Sequence, residues 1–481
     1  SVVRERTRGD EKKRITRIET CLGANYYNEW ENHLLSARID PLGRTTTYAY
    51  DDWGQLTETT YPDGHTETIE RDPQGRAITY TDPAGAAWQY QYDAHGNLHQ
   101  LTNPLEQAIQ YAYNTQGQLT QIDYPGGGQN HYHYDTAGYL SQLISPDGQH
   151  HQYQYDPFGR LSEYRDPENH TQQWFYPQDS YLPLPESHLS AQGHRRRQQY
   201  NPQGQLIQST DANGNSTRYQ WGPYNTLQSL TDPQDRTYHF HYGANAELST
   251  VTNAQQQTYR YIRDKAGRVI EEQDFSGAIT RYDYDLVGRL IRTQKPDGTT
   301  FTYAYDEGDR LIEKTLTPKQ GEPSQTTYQY DAAGNLLSAQ NAHSLVEFER
   351  DKLGRIIQEN HPSRSLETTY NADGYRATLK GEGIQQQWHY DPAQQLRQLQ
   401  LGQHSALNFD YSPRGQETYR YSEQGFGLIQ QYDPEGLLSQ QQAGIKIPDL
   451  QGHLPHAPTV DRQYQYDPGG RLNTLQESLW G

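Results

Sequence analysis

The sequence predicts an all-β protein, a tandem array of β-hairpins of about 21 residues that pair into one continuous antiparallel sheet. Three observations predict it. A nine-residue phrase recurs along the chain, two kinds of turn alternate in constant register, and the residues between the turns alternate in polarity. A fixed period of this kind is typical of repeat architectures. We therefore look for function in the array as a whole rather than in a single site.

The repeated phrase has the form Tyr-x-Tyr-Asp-x-x-Gly-x-Leu and reads YQYDAHGNL at residues 90–98. We call the turn that its Asp opens the Tyr-Asp turn. Further copies of the phrase lie at residues 48–56, 153–161, 282–290, 303–311, 328–336 and 464–472. The Tyr-Asp turns open in steps of 21 residues at positions 51, 72, 93, 114, 135 and 156, and again at 201, 222, 243, 264, 285 and 306.

Four copies of the phrase supply the residues that we predict to define the repeat. In each copy two Tyr residues share one face of a strand, the Asp bonds its own backbone in the turn, and the Gly three positions later is expected at positive φ. These residues are Tyr48, Tyr50, Asp51 and Gly54; Tyr90, Tyr92, Asp93 and Gly96; Tyr153, Tyr155, Asp156 and Gly159; and Tyr282, Tyr284, Asp285 and Gly288.

A second turn, often Pro-Asp-Gly or Asp-Pro-x-Gly, lies between successive Tyr-Asp turns, and we call it the proline turn. Proline turns open at positions 40, 61, 82, 103, 124, 145 and 166. The two turns alternate at intervals of 10 and 11 residues, which leaves strands of about 6–7 residues. A single hairpin is marginal in water, so neighbours must pair, and a sheet of so many strands must curl or close.

The composition alone is misleading, because 481 residues with a net charge of −19 and a mean hydropathy of −1.10 resemble a disordered chain. The 41 Tyr residues compensate, since a tyrosine ring buries a large apolar area while its hydroxyl stays hydrogen-bonded. The acidic balance argues against a nucleic-acid surface. No apolar run approaches the length of a membrane span.

The register divides the chain into three parts. Residues 1–35 form a basic lead-in, which is either a docking segment or a solvated tail. Residues 36–475 form the array, with insertions near 177–190, 317–324 and 443–462, and residues 476–481 form a tail. The irregular stretch 443–462 fits a flap, a plug or a partner-binding loop, and it fits a tolerated surface insertion equally well.

The phrase, its spacing of about 21 residues and its alternation with Asp-Pro-x-Gly turns closely resemble the Rhs/YD-repeat family. The resemblance covers residues 36–475. It implies that the sheet spirals into a hollow shell, here an open part of one, which in bacterial Rhs toxins encloses a C-terminal toxin domain. It also implies delivery, in many members by type VI secretion with an upstream PAAR-type domain. The chain is then interpreted as a structural, non-enzymatic wall segment of a polymorphic toxin that acts in interbacterial competition.

The resemblance also implies partners and a location. The partners would be the protein's own C-terminal toxin domain, which this chain does not contain, the remaining shell segments and a PAAR-type domain. The protein would be made in the bacterial cytoplasm and then secreted or injected into a target cell, or displayed on the cell surface. Family members end the shell with a self-cleaving sequence that contains Asp-Pro-x-Gly-Leu. Residues 433–437 read DPEGL, but they stand 21 residues after Ser412, so we interpret them as a repeat turn.

Residues that could carry chemistry are few. The carboxylates stand mostly at turn positions, where backbone bonding explains them. The pairs His131/His133 and His239/His241 project from the strand face opposite the tyrosines and are weak metal candidates, since no third ligand is placed by spacing. Cys21 lacks a flanking catalytic motif. We expect no catalytic residue, no metal and no cofactor in this chain.

One competing interpretation belongs to another functional class, a cell-surface adhesin whose repeats bind carbohydrate or choline. Such repeats also use Tyr- and Gly-rich hairpins of about 20 residues, and they build ligand cages from paired aromatic residues. The chain has only seven Trp residues, which is too few for one such cage in each of about 20 repeats. The element that recurs along the array is Tyr-x-Tyr-Asp instead. An enzymatic function has no sequence motif behind it.

Overall fold

The structure is a computed structural model that describes residues 6–9, 14–178, 182–444 and 459–479. These residues form one sheet of 44 strands. Each strand pairs antiparallel with the strand that follows it in sequence, so the sheet is a single long meander. The first and last described strands each have one partner, so strand pairing does not close the sheet. The predicted all-β repeat fold is confirmed.

The strands are numbered in chain order. They are β1 Arg6–Gly9, β2 Ile15–Glu19, β3 Asn25–Glu31, β4 Leu34–Ile39, β5 Thr45–Tyr50, β6 Leu56–Thr60, β7 Thr66–Arg71, β8 Ala77–Thr81, β9 Ala87–Tyr92, β10 Leu98–Thr102, β11 Ala108–Tyr113, β12 Leu119–Asp123, β13 Gln129–Tyr134, β14 Leu140–Ile144, β15 His150–Tyr155, β16 Leu161–Arg165, β17 Thr171–Phe175, β18 Ser187–Leu189, β19 Arg195–Tyr200, β20 Leu206–Thr210, β21 Ser216–Trp221 and β22 Leu227–Thr231. The second half contains β23 Thr237–Tyr242, β24 Leu248–Thr252, β25 Thr258–Arg263, β26 Val269–Gln273, β27 Ile279–Tyr284, β28 Leu290–Gln294, β29 Thr300–Tyr305, β30 Leu311–Thr317, β31 Ser324–Tyr330, β32 Leu336–Asn341, β33 Leu345–Arg350, β34 Ile356–His361, β35 Arg364–Tyr370, β36 Arg376–Gly381, β37 Ile384–Tyr390, β38 Leu396–Leu401, β39 Leu407–Tyr411, β40 Glu417–Ser422, β41 Gly427–Tyr432, β42 Leu438–Gly444, β43 Val460–Tyr466 and β44 Leu472–Leu479.

Helical structure in the described ranges is limited to one 3-10 turn, Pro223–Asn225, which stands in a Tyr-Asp turn. None of the helical structure in those ranges is long and apolar enough to cross a membrane.

Both kinds of turn use the same backbone device. At the Tyr-Asp turn after β5, the Gly54 N–H donates to the Asp51 carbonyl at 3.0 Å, and the Asp51 N–H donates to the Gln55 carbonyl at 2.9 Å. The strand register shifts beside Tyr50. This is a type I turn followed by a glycine bulge, and it requires the left-handed conformation that Gly54 adopts at φ 79°.

In the regular part of the array the strands are slightly shorter than the predicted 6–7 residues, whereas from β30 onwards most strands have six or seven. From β5 to β16 and from β19 to β29, six-residue and five-residue strands alternate, because each turn takes five residues. In part of the second half, two-residue turns at 362–363 and 382–383 replace five-residue turns while the flanking strands lengthen. The repeat step then falls to 20 residues, as between Asp351 and Asn371.

Of the segments that the sequence sets apart from the regular array, some form strands of the sheet and others form the turns that join strands. The lead-in of residues 1–35 already contains β1, β2 and β3, which pair in the same sheet. The lengthened turn at 317–324 joins β30 to β31. The insertion near 177–190 joins β17 to β18, although residues 179–181 lie outside the described residues. Residues 1–5 and 10–13, most of the stretch 443–462 and the last two residues of the tail also lie outside them.

The sheet is a single layer. Among the described residues no large side chain is fully buried, and the buried apolar residues are three alanines and Phe409. In β9 the aromatic residues Trp88, Tyr90 and Tyr92 are half-buried while the alternating Gln89 and Gln91 are exposed. We call this aromatic side of the sheet the tyrosine face. Packing energy therefore comes from neighbours within the layer rather than from a second layer.

A ladder of side-chain hydrogen bonds follows the edge that carries the Tyr-Asp turns. The last Tyr of a strand donates its hydroxyl to a carbonyl 15 residues earlier, at the start of the preceding strand, as Tyr92 does to Ala77 at 2.8 Å. The same bond is made by Tyr50, Tyr113, Tyr134, Tyr176, Tyr242, Tyr284, Tyr305, Tyr411 and Tyr432. Where the tyrosine is replaced by Arg71, Trp221 or Arg263, the new side chain donates to the same carbonyl.

The sheet curls until the second half of the chain lies against the first. Contacts join residues 241 to 265 positions apart, and one such contact brings the turn between β4 and β5 to the turn between β29 and β30. One revolution therefore takes about two dozen strands, which at ~4.8 Å per strand gives a circumference of roughly 115 Å and a diameter of roughly 40 Å. We call residues 14–300 the first coil and residues 301–479 the second coil.

Replacing the turn glycine Gly54 with Val should lower the free energy of unfolding by about 1–2 kcal/mol or more, because a β-branched side chain resists positive φ. The space itself is open, since a Cβ at this position would meet only ordinary contacts with Leu34. The measurement is equilibrium denaturation. Gly54→Asn is the control and should cost less, because Asn tolerates this conformation. A Val variant as stable as the parent would contradict the turn assignment.

Removing the Tyr92 hydroxyl with Tyr92→Phe should cost about 1 kcal/mol, because the Ala77 carbonyl loses its side-chain donor. The matched control is Tyr90→Phe, since Tyr90 lies on the same face of the same strand and its hydroxyl makes no hydrogen bond with the described residues. Equilibrium unfolding compares the two variants. Equal losses in both would show that the ladder bond contributes nothing specific.

Candidate functional site

The predicted repeat residues occupy equivalent places along one edge of the sheet. The four glycines Gly54, Gly96, Gly159 and Gly288 have φ of 79°, 90°, 78° and 95°, as the turn assignment predicts. Each of the four aspartates accepts two backbone N–H bonds on one carboxylate oxygen, as Asp156 does from Phe158 at 2.9 Å and Arg160 at 3.0 Å.

The tyrosines of these four copies divide into two roles. Tyr50, Tyr92 and Tyr284 belong to the ladder. Tyr155 departs from it and stacks on Tyr139, with ring centroids 5.0 Å apart. The first tyrosines of the phrase, Tyr48, Tyr90, Tyr153 and Tyr282, lie farther from the turn on the tyrosine face.

Many Tyr-Asp turns carry an arginine directly after the glycine, and this residue links one repeat to the next. In the turn after β15, Arg160 donates to the second oxygen of Asp156 and lies 4.3 Å from the ring centroid of Tyr176 in the following repeat. Arg76, Arg268 and Arg289 repeat this pattern over Tyr92, Tyr284 and Tyr305. Arg310, which follows Asp309 instead of a glycine, does the same over Tyr330. In these turns both carboxylate oxygens of the Asp are therefore engaged in structural contacts.

The candidates for metal binding and reactivity lie at three separate places in the sheet, on β13, on β23 and in the turn after β2. His131 is half-buried on β13, while His133, His239 and His241 are exposed on β13 and β23. In the described part of the chain no group of three or more His, Cys, Asp or Glu side chains is placed to hold a metal ion. Cys21 is a partly exposed free thiol in the turn between β2 and β3.

The structure brings together a set of residues that the sequence did not single out, along the line where the two coils meet. We call this line the seam. On it, proline turns of the first coil contact Tyr-Asp turns of the second coil, at first-coil turns 40–44, 61–65, 124–128, 166–170, 190–194 and 211–215. No β-ladder crosses the seam among the described strands, so side chains hold the coils together.

Charged contacts cross the seam in both directions. The Asp309 carboxylate lies 2.7 Å from Arg44 across the seam and 2.7 Å from Arg289 in the Tyr-Asp turn of the preceding repeat. Further cross-seam ion pairs join Arg310 to Asp63 at 3.1 Å, Arg414 to Asp166 at 3.0 Å and Arg471 to Asp211 at 2.9 Å. The His194 ring is in hydrogen-bond contact with Glu435 at 2.7 Å. Glu435, from the DPEGL stretch, also accepts a bond from the Ser190 hydroxyl, and its turn has the repeat geometry predicted for it.

Two seam carboxyls are held in the charged state. Burial alone would raise the pKa of Asp63, but the bonds from His65 and the charge of Arg310 outweigh burial, so its pKa lies below the ordinary value. The pKa of Asp211 is lowered in the same way. Burial alone would raise it, but the hydrogen bonds from Asn215 and Asn213 and the charge of Arg471 outweigh burial. A lowered pKa in the folded state stabilises the structure at neutral pH, and that contribution is lost as the pH falls through the acid range.

Glycines allow the coils to approach closely at turn 124–128. The Gly126 N–H donates to Asp373 at 2.8 Å. A Cβ on Gly126 would lie 1.9 Å from the Asp373 carboxylate, and one on Gly128 would lie 2.4 Å from the Pro392 carbonyl oxygen. These two glycines are needed for proximity and not for positive φ, unlike the turn glycines.

The sequence offers no signal for the seam. Its residues pair across about 250 positions, and that distance is set by how sharply the sheet curls rather than by the 21-residue period. The ladder replacements were detectable in principle, because Arg71, Trp221 and Arg263 each stand in the register position of the last Tyr.

Comparisons with known proteins agree with this architecture. A family model described as Teneurin YD-shell matches residues 72–225 and 194–322, which together cover just over half of the chain. A second model, RHS Repeat, matches residues 30–66. Two Dickeya dadantii (strain 3937) proteins, named "Probable deoxyribonuclease RhsB" and "Probable deoxyribonuclease RhsA", are 29% and 30% identical over 155 and 156 residues. Each match covers 30% of this chain and 10% of the relative.

Solved structures share the fold at low identity. A TcdB2-TccC3-Cdc42 crystal structure matches with a TM-score of 0.60 and 14% identity, over 97% of this chain and 32% of that chain. The Photorhabdus luminescens Tc holotoxin pore matches with a TM-score of 0.58 and 13% identity, over 98% of this chain and 33% of that one. The chain spans a tenth of the curated relatives and about a third of the solved chains. The repeat geometry and the family matches together show that this chain belongs to the Rhs/YD-repeat family of shell-forming proteins.

Proposed function

We propose that this chain is a wall segment of a bacterial toxin shell, and that the shell encloses a C-terminal toxin domain that lies outside this chain. The seam is the observation that carries the proposal. A long single-layer sheet could remain an open ribbon, with both rows of turns in solvent. Here the curl brings the proline edge of the first coil onto the Tyr-Asp edge of the second, so the ribbon becomes a continuous curved wall.

The size of the coil suits enclosure of a polypeptide. A diameter of roughly 40 Å less the side chains on both walls leaves an inner width of roughly 25–30 Å, which is wider than the ~10 Å spacing of packed sheets. An extended or partly folded chain fits such a space. The wall contributes no chemistry under this proposal, and any toxin activity resides in the enclosed domain.

The comparisons support the assignment to a toxin. The route of delivery is part of our proposal alone. Rhs relatives and Tc toxin structures share the repeat and the fold. We place the protein in interbacterial competition, with export by type VI secretion and a PAAR-type domain as the delivery partner. The remaining shell segments would continue and seal the wall.

The proposal predicts that the wall protects the enclosed C-terminal domain, which we call the cargo, from proteases. In the longer polypeptide to which the proposal assigns this chain, the C-terminal domain should resist limited proteolysis far better than the same domain expressed alone. The physical reason is that a protease cannot enter an intact wall of paired strands. The measurement is the cleavage rate of the domain followed by mass spectrometry. Equal rates in the two contexts would reject enclosure.

A second prediction tests whether the seam holds the wall together. In the double variant Asp373→Ala with Glu435→Ala, turns 124–128 and 190–194 should exchange amide hydrogens faster, because the Gly126 N–H, Ser190 and His194 lose their acceptors across the seam. The measurement is hydrogen–deuterium exchange on this chain. Single hydrogen bonds contribute only about 0.5–3 kcal/mol each, so we expect local opening without global unfolding.

The matched control for the seam variant is Asp52→Ala with Asp235→Ala. It changes the net charge equally, and both residues are exposed on turns that contact no second-coil residue in the described structure. This control should leave exchange at turns 124–128 and 190–194 unchanged. If the seam variant also leaves it unchanged, the side-chain contacts do not hold the coils together.

A further inference from the structure

Between the two coils lies a cavity of about 540 Å³, which we call the seam cavity. The first coil contributes strand residues on its tyrosine face and three proline turns, and the second coil contributes three Tyr-Asp turns. The lining includes the apolar and aromatic residues Trp88, Leu101, Ile109, Tyr124, Leu353 and Tyr375. Its volume falls within the range of sites that bind small ligands or single side chains.

The walls of the seam cavity favour a flat aromatic group. Trp88 and Tyr124 supply rings from the first coil and Tyr375 supplies one from the second, while Pro125, Pro146 and Pro392 add rigid apolar surfaces. The Tyr375 side chain is 45% exposed, so part of its ring is available to a ligand. Aromatic rings pack well against one another in offset and edge-on arrangements.

The polar groups of the lining divide into those already bonded and those that are free. Asp373 and Gln394 are engaged in the seam contact, and Asn103 is engaged in its own turn. Arg355 pairs with Asp351 at 2.6 Å, while its Nη1 is a buried donor without a partner among the described residues. The Gln107 side-chain NH₂ and the Asn130 side-chain oxygen make no hydrogen bond with the described residues. These groups offer one donor and one acceptor, which is the complement of a peptide group with its C=O and N–H.

A second large cavity on the seam differs from the seam cavity in the charge of its lining residues. It lies between turns 61–65 and 306–310 and is lined by charged side chains, including Arg44, Arg310, Asp63 and Asp309. Those charges pair with one another across the seam. These four charged side chains are therefore occupied with one another, whereas the seam cavity is lined mainly by rings and uncharged polar groups.

The seam cavity opens on the tyrosine face, because Trp88, Ile109 and Asn130 all stand at tyrosine-face positions of their strands. In a curved single layer, side chains crowd together on the concave side and spread apart on the convex side. The tyrosine face is the less exposed side along the regular strands, and we infer that it is the concave side. A chain enclosed by the wall would lie along this side.

We propose that the seam cavity binds an aromatic side chain of an extended polypeptide, with Gln107 and Asn130 bonding the adjacent peptide group. The proposal rests on the proposed enclosing function, under which the occupant is a segment of the enclosed chain. Binding at the seam would contact both coils at once. The wall would then retain its cargo at a defined point while the rest of the cargo remains unattached.

The test uses the intact chain and the blocked tripeptide N-acetyl-Gly-Phe-Gly-amide as the probe, with binding measured by saturation-transfer NMR and calorimetry. Trp88→Ala should weaken binding at least tenfold. Leu353→Trp should also abolish it by filling the cavity, and it keeps the test meaningful if the first variant folds poorly. The matched control is Trp53→Ala, since Trp53 is 85% exposed on a turn far from the cavity, and it should bind normally.

Two further probes separate a side-chain anchor from a general apolar void. N-acetyl-Gly-Ala-Gly-amide lacks the ring and should bind at least tenfold more weakly than the Phe peptide. Benzyl alcohol lacks the peptide groups and should also bind at least tenfold more weakly than the Phe peptide. Absence of Phe-peptide binding to the parent chain would overturn the proposal, as would binding unaffected by Trp88→Ala and Leu353→Trp. Equal binding of benzyl alcohol would overturn the polypeptide assignment. Cargo protection could persist in each case, so enclosure is tested separately.

Discussion

A single-layer sheet has no second layer against which to bury its side chains, and this constraint explains most of the structure. Each aromatic side chain must bury its ring against neighbours in the same layer, and its polar atom must find a partner there too. The tyrosine ladder meets both requirements, because the ring lies across a strand boundary and the hydroxyl reaches a carbonyl of the preceding strand, as Tyr113 does to Leu98. The replacements Trp221 and Arg263 keep the donor although the ring changes or disappears.

The same constraint accounts for the turn chemistry. An Asp at the turn satisfies two backbone donors, the following Arg neutralises it, and the Arg then covers the ring of the next repeat. Turn, charge pair and aromatic contact therefore form one continuous chain of interactions from repeat to repeat. Local rules of this kind build a ribbon of any length, but they do not determine where the ribbon meets itself. That contact depends on the summed curvature of about two dozen strands.

This difference explains how much could be predicted. The hairpins, the turns and the shared face of Tyr90 and Tyr92 follow from local spacing, so the sequence predicts them. In the regular part of the array the strand lengths were predicted slightly too long, because the five-residue turns take residues from both strands. The seam was not predictable, since Asp63 and Arg310 have no common pattern and meet only through the curl. The boundaries predicted for the lead-in, the array and the tail remain predictions. So does any functional role of the repeat residues other than holding the fold together.

The central claim is that the sheet curls into stacked coils sealed by side chains. Small-angle X-ray scattering of this chain tests it most directly, because 44 strands spaced ~4.8 Å apart would extend to roughly 210 Å as an open ribbon, whereas coils of roughly 40 Å diameter are far more compact. The account predicts a hollow particle whose largest dimension is well below 100 Å. A largest dimension near 200 Å would contradict it.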